Sequence, residues 1–305
     1  LIGCKGVTRS DFKFYKNKFY LLEINTQPGM TSLSLVPEIA SFKNISFLSL
    51  KDWIIKGDTY QVNYTHRLQT PFSGTPLSLF HQLLQTQLVE RCIFIQSDKY
   101  AICSASPELF FSYVNGLITM RPMKGTRQRH MEPETDLKLA EDLRYSIKDQ
   151  AENVMIVDLV RNDLSRIAKK STVRVDELAK LYTYRDVHHL ISTISCQIDQ
   201  NKTIADVFQA SFPMGSMTGA PKIRAMQLIE EFEQTLRGLY SGSIGYITPN
   251  KDFDFNVVIR SVFYNQQSQY LSFMVGGAIT IDSDPESEYE ECLVKAKSIF
   301  QALGV

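Results

Sequence analysis

Apolar positions in this chain recur with two periods, two residues in some windows and three to four in others, so it reads as a mixed fold with many strands. Alternation predicts strands at Phe19–Asn25, Arg91–Gln96, Lys99–Ser104, Leu109–Tyr113 and Leu117–Met120, and a late meander at Tyr240–Thr248, Asn256–Tyr264 and Tyr270–Val275. Helical spacing predicts helices over Ser34–Phe42, Pro76–Gln87, Asp136–Ile156, Thr203–Ala210, Pro221–Phe232 and Pro285–Leu303, with Pro221 and Pro285 fitting a first helical turn. Thr26–Thr31, containing Pro28-Gly29, is a turn.

At 305 residues the chain can bury a full core as one large or two ordinary domains. Lys+Arg and Asp+Glu are both 33, so no electrostatic footprint points to nucleic acid or an anionic membrane, and small molecules or protein partners are expected. No window approaches the roughly 18 apolar residues of a membrane span, and the first residues lack a basic-then-apolar leader, so the expected location is cytoplasmic. The five cysteines are scattered without C-x-x-C spacing, which suggests neither a disulfide framework nor a zinc site. His66, His81 and His130 likewise have no metal-ligand spacing.

Residues 1–50 and 51–305 read as two unlike pieces. The end of the Phe19–Asn25 strand places Glu23 and Asn25 on one face, which suits magnesium. From Gly6-Val7-Thr8-Arg9-Ser10-Asp11-Phe12 through LLEINTQPGMTSLSLVPEIA to about Trp53, the sequence resembles the C-terminal part of D-alanine–D-alanine ligases. The resemblance implies that Asp11, Glu23 and Asn25 match magnesium ligands, and that Arg9, Gly29, Ser34 and Leu35 match phosphate or substrate contacts. An ATP-grasp ligase also needs preceding domains to clamp its nucleotide. The segment is therefore expected to be a fragment without ligase activity, from a fusion or a rearranged gene.

The chemistry concentrates further on. Arg121-Pro122-Met123-Lys124-Gly125-Thr126-Arg127 reads as a carboxylate-binding turn in which Gly125 and Thr126 offer N–H groups and a hydroxyl. Lys124 is then either a counter-charge or, deprotonated, a nucleophile. With Gly57–Asn63, Ser106-Pro107-Glu108, Ala151–Asp163, Phe212–Lys222, Gly245-Tyr246, Arg260 and Glu288–Glu291, this block makes residues 51–305 resemble the chorismate-utilising enzymes.

That resemblance implies an α+β fold, an antiparallel β-sheet sandwich with outer helices and a site between the sheets' inner ends. It implies Mg2+ held by Glu152 and Glu291, with Glu288, one helical turn earlier, acting through water. Arg260, supported by Tyr240, matches the clamp on the enolpyruvyl carboxylate, and a guanidinium suits that bidentate task. Gly276 and Gly277 match a glycine-rich carboxylate loop, although Ala278 and Met214 stand where further glycines are usual. Glu108 matches the general acid/base and His189 a histidine near the substrate ring. Ser216 is either a substrate contact or a helix cap, and His188 is structural or exposed.

Two positions choose among the family's reactions. Gln61 stands where water-activating relatives carry a basic lysine, which points to ammonia as the nucleophile. Lys124 matches the lysine of the branch that makes 4-amino-4-deoxychorismate, where anthranilate-forming relatives usually have alanine. The expected activity is amination of chorismate on the p-aminobenzoate route, with ammonia from a glutamine amidotransferase subunit. The rivals are an anthranilate-forming enzyme, and a non-catalytic remnant without the family's N-terminal subdomain, whose loss exposes sheet edges.

Overall fold

The structure, a computed structural model, describes Arg9–Tyr15, Lys18–Asn25 and residues 47–304 apart from 88, with side chains from residue 51 onward. β1 (Arg9–Tyr15) and β2 (Lys18–Asn25) pair antiparallel, Asp11 opposite Glu23, with a register shift after Asp11. The expected turn at 26–31, the helix at 34–42, Gly29, Ser34 and Leu35 lie outside the described residues, as do the side chains of Arg9, Asp11, Glu23 and Asn25.

The chain continues through α1 (Phe47–Ile55), β3 (Gln61–Pro71), α2 (Pro76–Thr86), β4 (Arg91–Gln96), β5 (Tyr100–Ser106), β6 (Leu109–Val114), β7 (Leu117–Arg121), β8 (Met123–Gln128), α3 (Pro133–Tyr145), α4 (Ile147–Ser165), β9 (Arg174–Thr183) and β10 (Val187–Gln197). It ends with α5 (Ile204–Ser211), α6 (Gly215–Thr218), β11 (Gly219–Ala220), α7 (Lys222–Phe232), β12 (Gly245–Ile247), β13 (Phe253–Asn256), β14 (Ser261–Asn265), β15 (Tyr270–Ile279) and α8 (Pro285–Leu303).

Two antiparallel sheets form the body. One runs β12-β13-β6-β7-β10-β8, with β9 also on β10, and the other runs β11-β3-β15-β14-β5-β4. β7 and β8 pair with successive parts of β10. Phe263 and Met274 of the second sheet pack into the same cluster as Phe110, Ile118 and Ile194 of the first, so the inner faces meet as a sandwich. On the other side of the second sheet, Leu79 and Leu83 of α2 and Ala296 and Ile299 of α8 cover Cys103, Val262 and Phe273. Burying apolar faces between and outside two sheets is the arrangement that the alternating strands require.

Several element boundaries follow from local chemistry. Helix α2 opens on Thr75, whose Oγ1 accepts the Ser78 amide at 3.2 Å, with Pro76 at the first position. Helix α8 opens on Asp284 and Pro285 and closes on Gly304 in the left-handed region, so its expected bounds are the observed ones.

Several expectations are corrected. The helix expected over Asp136–Ile156 is two helices, because Ser146 turns out of the helix (φ −64°, ψ 111°) and its Oγ accepts the Asp149 amide at 3.2 Å, capping α4. The strand expected at Asn256–Tyr264 is two strands in different sheets: β13 pairs with β6, β14 with β5, and residues 257–260 cross between the sheets. The late meander is accordingly not one sheet, and of Tyr240–Thr248 only β12 is strand. The Lys124 segment is not a turn but strand β8, and Pro221 precedes the first residue of α7.

Candidate active site

One cavity between the sheets' ends is walled by Glu108, Lys124, Gly125, Thr126, Glu152, His189, Ser216, Tyr240, Arg260, Gly276 and Glu291, eleven positions that the sequence singled out. Different elements contribute them. Lys124, Gly125 and Thr126 lie on β8 opposite His189 and Leu190 of β10, where Gly125 is the extra residue of a bulge with φ +81°. A Cβ there would stand 2.9 Å from Leu143 Cδ1 and 3.0 Å from Asp149 Oδ1, so glycine is required by both conformation and space. Glu152 projects from α4, which is tied to β10 beside it: Ser192 Oγ donates to Asn153 Oδ1, and Asn153 Nδ2 donates to the Leu190 carbonyl at 3.4 Å. Gly276 of β15 is there because a Cβ would sit 2.3 Å from the Tyr64 carbonyl oxygen on β3.

The wall is electrostatically unusual. Burial holds the Lys124 ammonium below its ordinary range, against the pull of Glu152 and with Lys295 adding repulsion. Its Nζ donates to the Ser216 carbonyl at 3.4 Å. Burial pushes Glu108 up to about 7, against hydrogen bonding from Ser216 and the charge of Lys124. Burial likewise pushes Glu152 up to about 7, opposed by Lys124 and Lys148 and reinforced by Glu291 and Glu288. Glu291 is net lowered: burial raises it, but Lys295, whose Nζ is 2.6 Å from Oε1, outweighs that.

Burial lowers His189 to about 4, helped by Arg260, so its imidazole is neutral near pH 7; Nδ1 lies 2.9 Å from Thr126 Oγ1. Arg260 sits at the sheet crossing with φ +50°, and burial lowers its guanidinium to about 10. Among the described residues its guanidinium makes no ion pair. A partly buried guanidinium with no ion pair among the described residues is suited to an incoming carboxylate.

Three expected residues are placed behind the wall. Gln61 is fully buried and neither its Nε2 nor its Oε1 has a partner among the described residues. Gly277 faces Glu288, whose Oε2 would lie 3.0 Å from a Cβ. Glu288 accepts from Lys148 Nζ at 2.8 Å and Ser283 Oγ at 2.5 Å. Ser216 lies inside α6 and caps no helix. His188 is structural, bridging Thr183 and Asp136.

The sequence reading missed Asn63, Lys148, Asp149 and Lys295 in the wall. Lys148 and Lys295 stand four residues from Glu152 and Glu291, a spacing that equally marks solvated helix pairs. Lys295 Nζ also donates to the Gly276 carbonyl at 2.9 Å, adding a second cation near the glycine loop.

Cations and carboxylates thus converge in one cavity of a two-sheet antiparallel sandwich. The chain belongs to the chorismate binding enzymes, whose family model matches residues 44–301. The model of the D-ala D-ala ligase C-terminus matches residues 1–56. The chain is 40% identical to aminodeoxychorismate synthase component 1 of Salmonella typhimurium over 84% of this chain and 56% of that protein. It is 35% identical to anthranilate synthase component 1 of Aquifex aeolicus over 91% of this chain and 58% of that protein. Among solved structures, anthranilate synthase component I from Streptococcus pneumoniae superposes with a TM-score of 0.75 at 34% identity, covering 83% of this chain and 55% of that one. The chain thus spans somewhat over half the length of these relatives.

Proposed function

We propose that residues 51–305 form a catalytic domain that aminates chorismate to 4-amino-4-deoxychorismate, and that residues 1–50 are a ligase-derived fragment outside that chemistry. The observation that carries this reading is Lys124, an amine lowered by burial inside a wall that also holds Glu108, Glu152 and Glu291. Desolvation favours the neutral, nucleophilic form of the amine.

Lys124 Nζ adds at ring C2 while the two ring double bonds shift and the C4 hydroxyl departs as water, its proton supplied by Glu108. The ammonium formed at C2 loses one proton. Ammonia then adds at C4, the double bonds shift back, and the C2–Nζ bond breaks as Nζ takes up a proton, returning Lys124 as the neutral amine while the new C4 ammonium gives up one proton. Chorismate and ammonia become aminodeoxychorismate and water, and the enolpyruvyl ether is kept. Arg260 and Tyr240 hold its carboxylate, while Gly125, Thr126, Gly276 and Lys295 bind the ring side of the dianion. Neutral His189, held by Thr126, packs against the ring.

Magnesium fits the residues present. Glu152 is buried, and its nearest cationic group, Lys148 Nζ, is 4.0 Å away. No group of three His, Cys, Asp or Glu side chains capable of holding a metal occurs among the described residues. Two carboxylates, Glu152 and Glu291, completed by water and substrate oxygens, is a shell that magnesium accepts. Bound there, it supplies charge for the ring carboxylate of the substrate. Glutamine-derived ammonia would come from an amidotransferase subunit.

Anthranilate formation is the second reading, favoured by the 35% identity to an anthranilate synthase component. Incubating the chain with chorismate, magnesium and ammonium and identifying products by mass decides between them. Aminodeoxychorismate supports the proposal; fluorescent anthranilate with release of pyruvate overturns it.

A further inference from the structure

Behind the cavity, Glu233 and Arg237 form a buried ion pair, with side-chain exposures of 4% and 14%. All five guanidinium hydrogens are matched by acceptors. Nε donates to Glu233 Oε2 at 2.8 Å and Nη2 to Glu233 Oε1 at 2.6 Å. Nη2 also reaches the Asn63 carbonyl at 2.7 Å, and Nη1 reaches the Met217 carbonyl at 2.6 Å and Ser241 Oγ at 3.3 Å. Glu233 Oε1 in turn accepts from the Thr65 amide at 2.9 Å and from Thr65 Oγ1 at 2.7 Å.

A buried pair of this kind contributes little stability over well-packed apolar side chains, so the groups it joins are its more informative feature. Asn63 and Met217 line the cavity, from β3 and α6. Ser241 adjoins Tyr240, which also lines it and whose amide donates to the Arg237 carbonyl at 3.1 Å. One side chain therefore connects three segments of wall that are distant in sequence. Only a planar fork with five donors can do so; an ammonium group is a compact charge with three.

We infer that Arg237 is a positioning residue for the reaction: locked by Glu233, it sets where Asn63, Met217 and Tyr240 stand, and so the shape of the wall beside Arg260. It does not touch substrate. The inference rests on the chorismate reading of the cavity for its kinetic consequence, but not for its geometry.

The test compares the full chain with Arg237→Lys, Arg237→Gln and the uncharged pair Glu233→Gln/Arg237→Gln. Arg237→Gln leaves a buried carboxylate unpaired and is expected to lower the melting temperature, whereas the double variant should regain much of it. Positioning predicts that neither the double variant nor Arg237→Lys regains substrate handling: KM for chorismate rises about tenfold or more, with kcat within about threefold. In the ligand-free proteins, hydrogen exchange should accelerate in Arg237→Lys across residues 61–65, 215–219 and 238–242, and not in β14. Recovery of the wild-type KM together with the melting temperature in the double variant overturns the inference. Wild-type exchange rates in all three segments of Arg237→Lys also overturn it. If the unaltered chain neither binds nor converts chorismate, the functional reading falls, and the exchange comparison by itself decides for or against Arg237.

Discussion

Glu108 and Arg260 are brought together by two chain crossings that hydrogen-bond to each other. The Val257 amide donates to the Glu108 carbonyl at 3.1 Å, and the Ala105 amide donates to the Arg260 carbonyl at 3.3 Å. Ser106 Oγ, donating to the Val257 carbonyl at 2.6 Å, closes the contact. One crossing carries the chain from β5 to β6 and the other from β13 to β14, so each leaves one sheet for the other. An acid and a cation of the candidate site are thus held by backbone that neither sheet could supply alone.

The crossing at Arg260 separates backbone from side-chain effects. With φ +50°, the position favours glycine, so Arg260→Gly should be more stable than Arg260→Ala by about 1 kcal/mol, measured by denaturant titration. Both should lose chorismate binding, because neither carries a guanidinium. Equal stability of the two would contradict the backbone argument.

Lys124→Ala should slow amination at least about a hundredfold if the amine forms a bond to substrate. In the unaltered chain, chorismate and magnesium without ammonia should yield a protein whose mass exceeds the free chain by chorismate less one water, located on Lys124 by peptide mapping. Near-normal turnover by Lys124→Ala would exclude covalent attack.

The raised Glu152 and Glu108 carboxyls predict two pH effects. Both hold a proton up to about pH 7 in the fold, while an ordinary glutamate loses it near 4.5. Between those values these two carboxyls hold protons in the folded chain that the unfolded chain has released, so their contribution to metal-free stability is full below about 4.5 and is lost as pH rises to about 7. Glu152→Gln should flatten part of that decline in thermal melts recorded across the range. Magnesium binding with substrate near pH 6.5 should release protons, seen by calorimetry in buffers of different ionisation enthalpy, and Glu152→Gln should remove the release together with the magnesium dependence.

Gly125→Ala tests the bulge that presents Lys124. Positive φ and the contacts at 2.9 and 3.0 Å predict a loss of about 1–3 kcal/mol and a displaced Lys124. Activity should fall more than the folded fraction does. A variant with wild-type stability would show that the bulge relaxes freely.

Gln61 poses the opposite case, a residue whose chemistry opposes stability. Its buried amide has no partner among the described residues, which costs about 1–3 kcal/mol, so Gln61→Met should raise the melting temperature. If the amide serves the incoming nucleophile, amination should drop in the same variant. Full activity in Gln61→Met would remove Gln61 from the chemistry.

Much of the site was legible because its residue types are chemically distinctive in their order along the chain. The Lys124 block, Glu152 and Glu291 stand in one wall as expected. Lys148 and Lys295 escaped notice because a lysine four residues from a glutamate has the same spacing on a solvated helix as in a cavity. The strands β3, β9 and β10 were not anticipated. In β10 eight of eleven residues are buried, a run that shows no polar face to mark the alternation, while β9 is largely open and carries charges on both faces.

The sequence by itself determined the local elements and the inventory of groups: α8 from its proline and glycine ends, the paired strands β4–β5 and β6–β7, and the identity of each acid, amine and guanidinium. Only the tertiary structure decided that Asn256–Tyr264 divides between two sheets, that a serine breaks the helix ahead of Glu152, and that Arg237 joins three walls from behind. Periodicity reports whether a face is buried, within a few residues of chain. It carries no record of which distant segment buries it, and the protonation of Lys124, Glu108 and Glu152 depends on that burial.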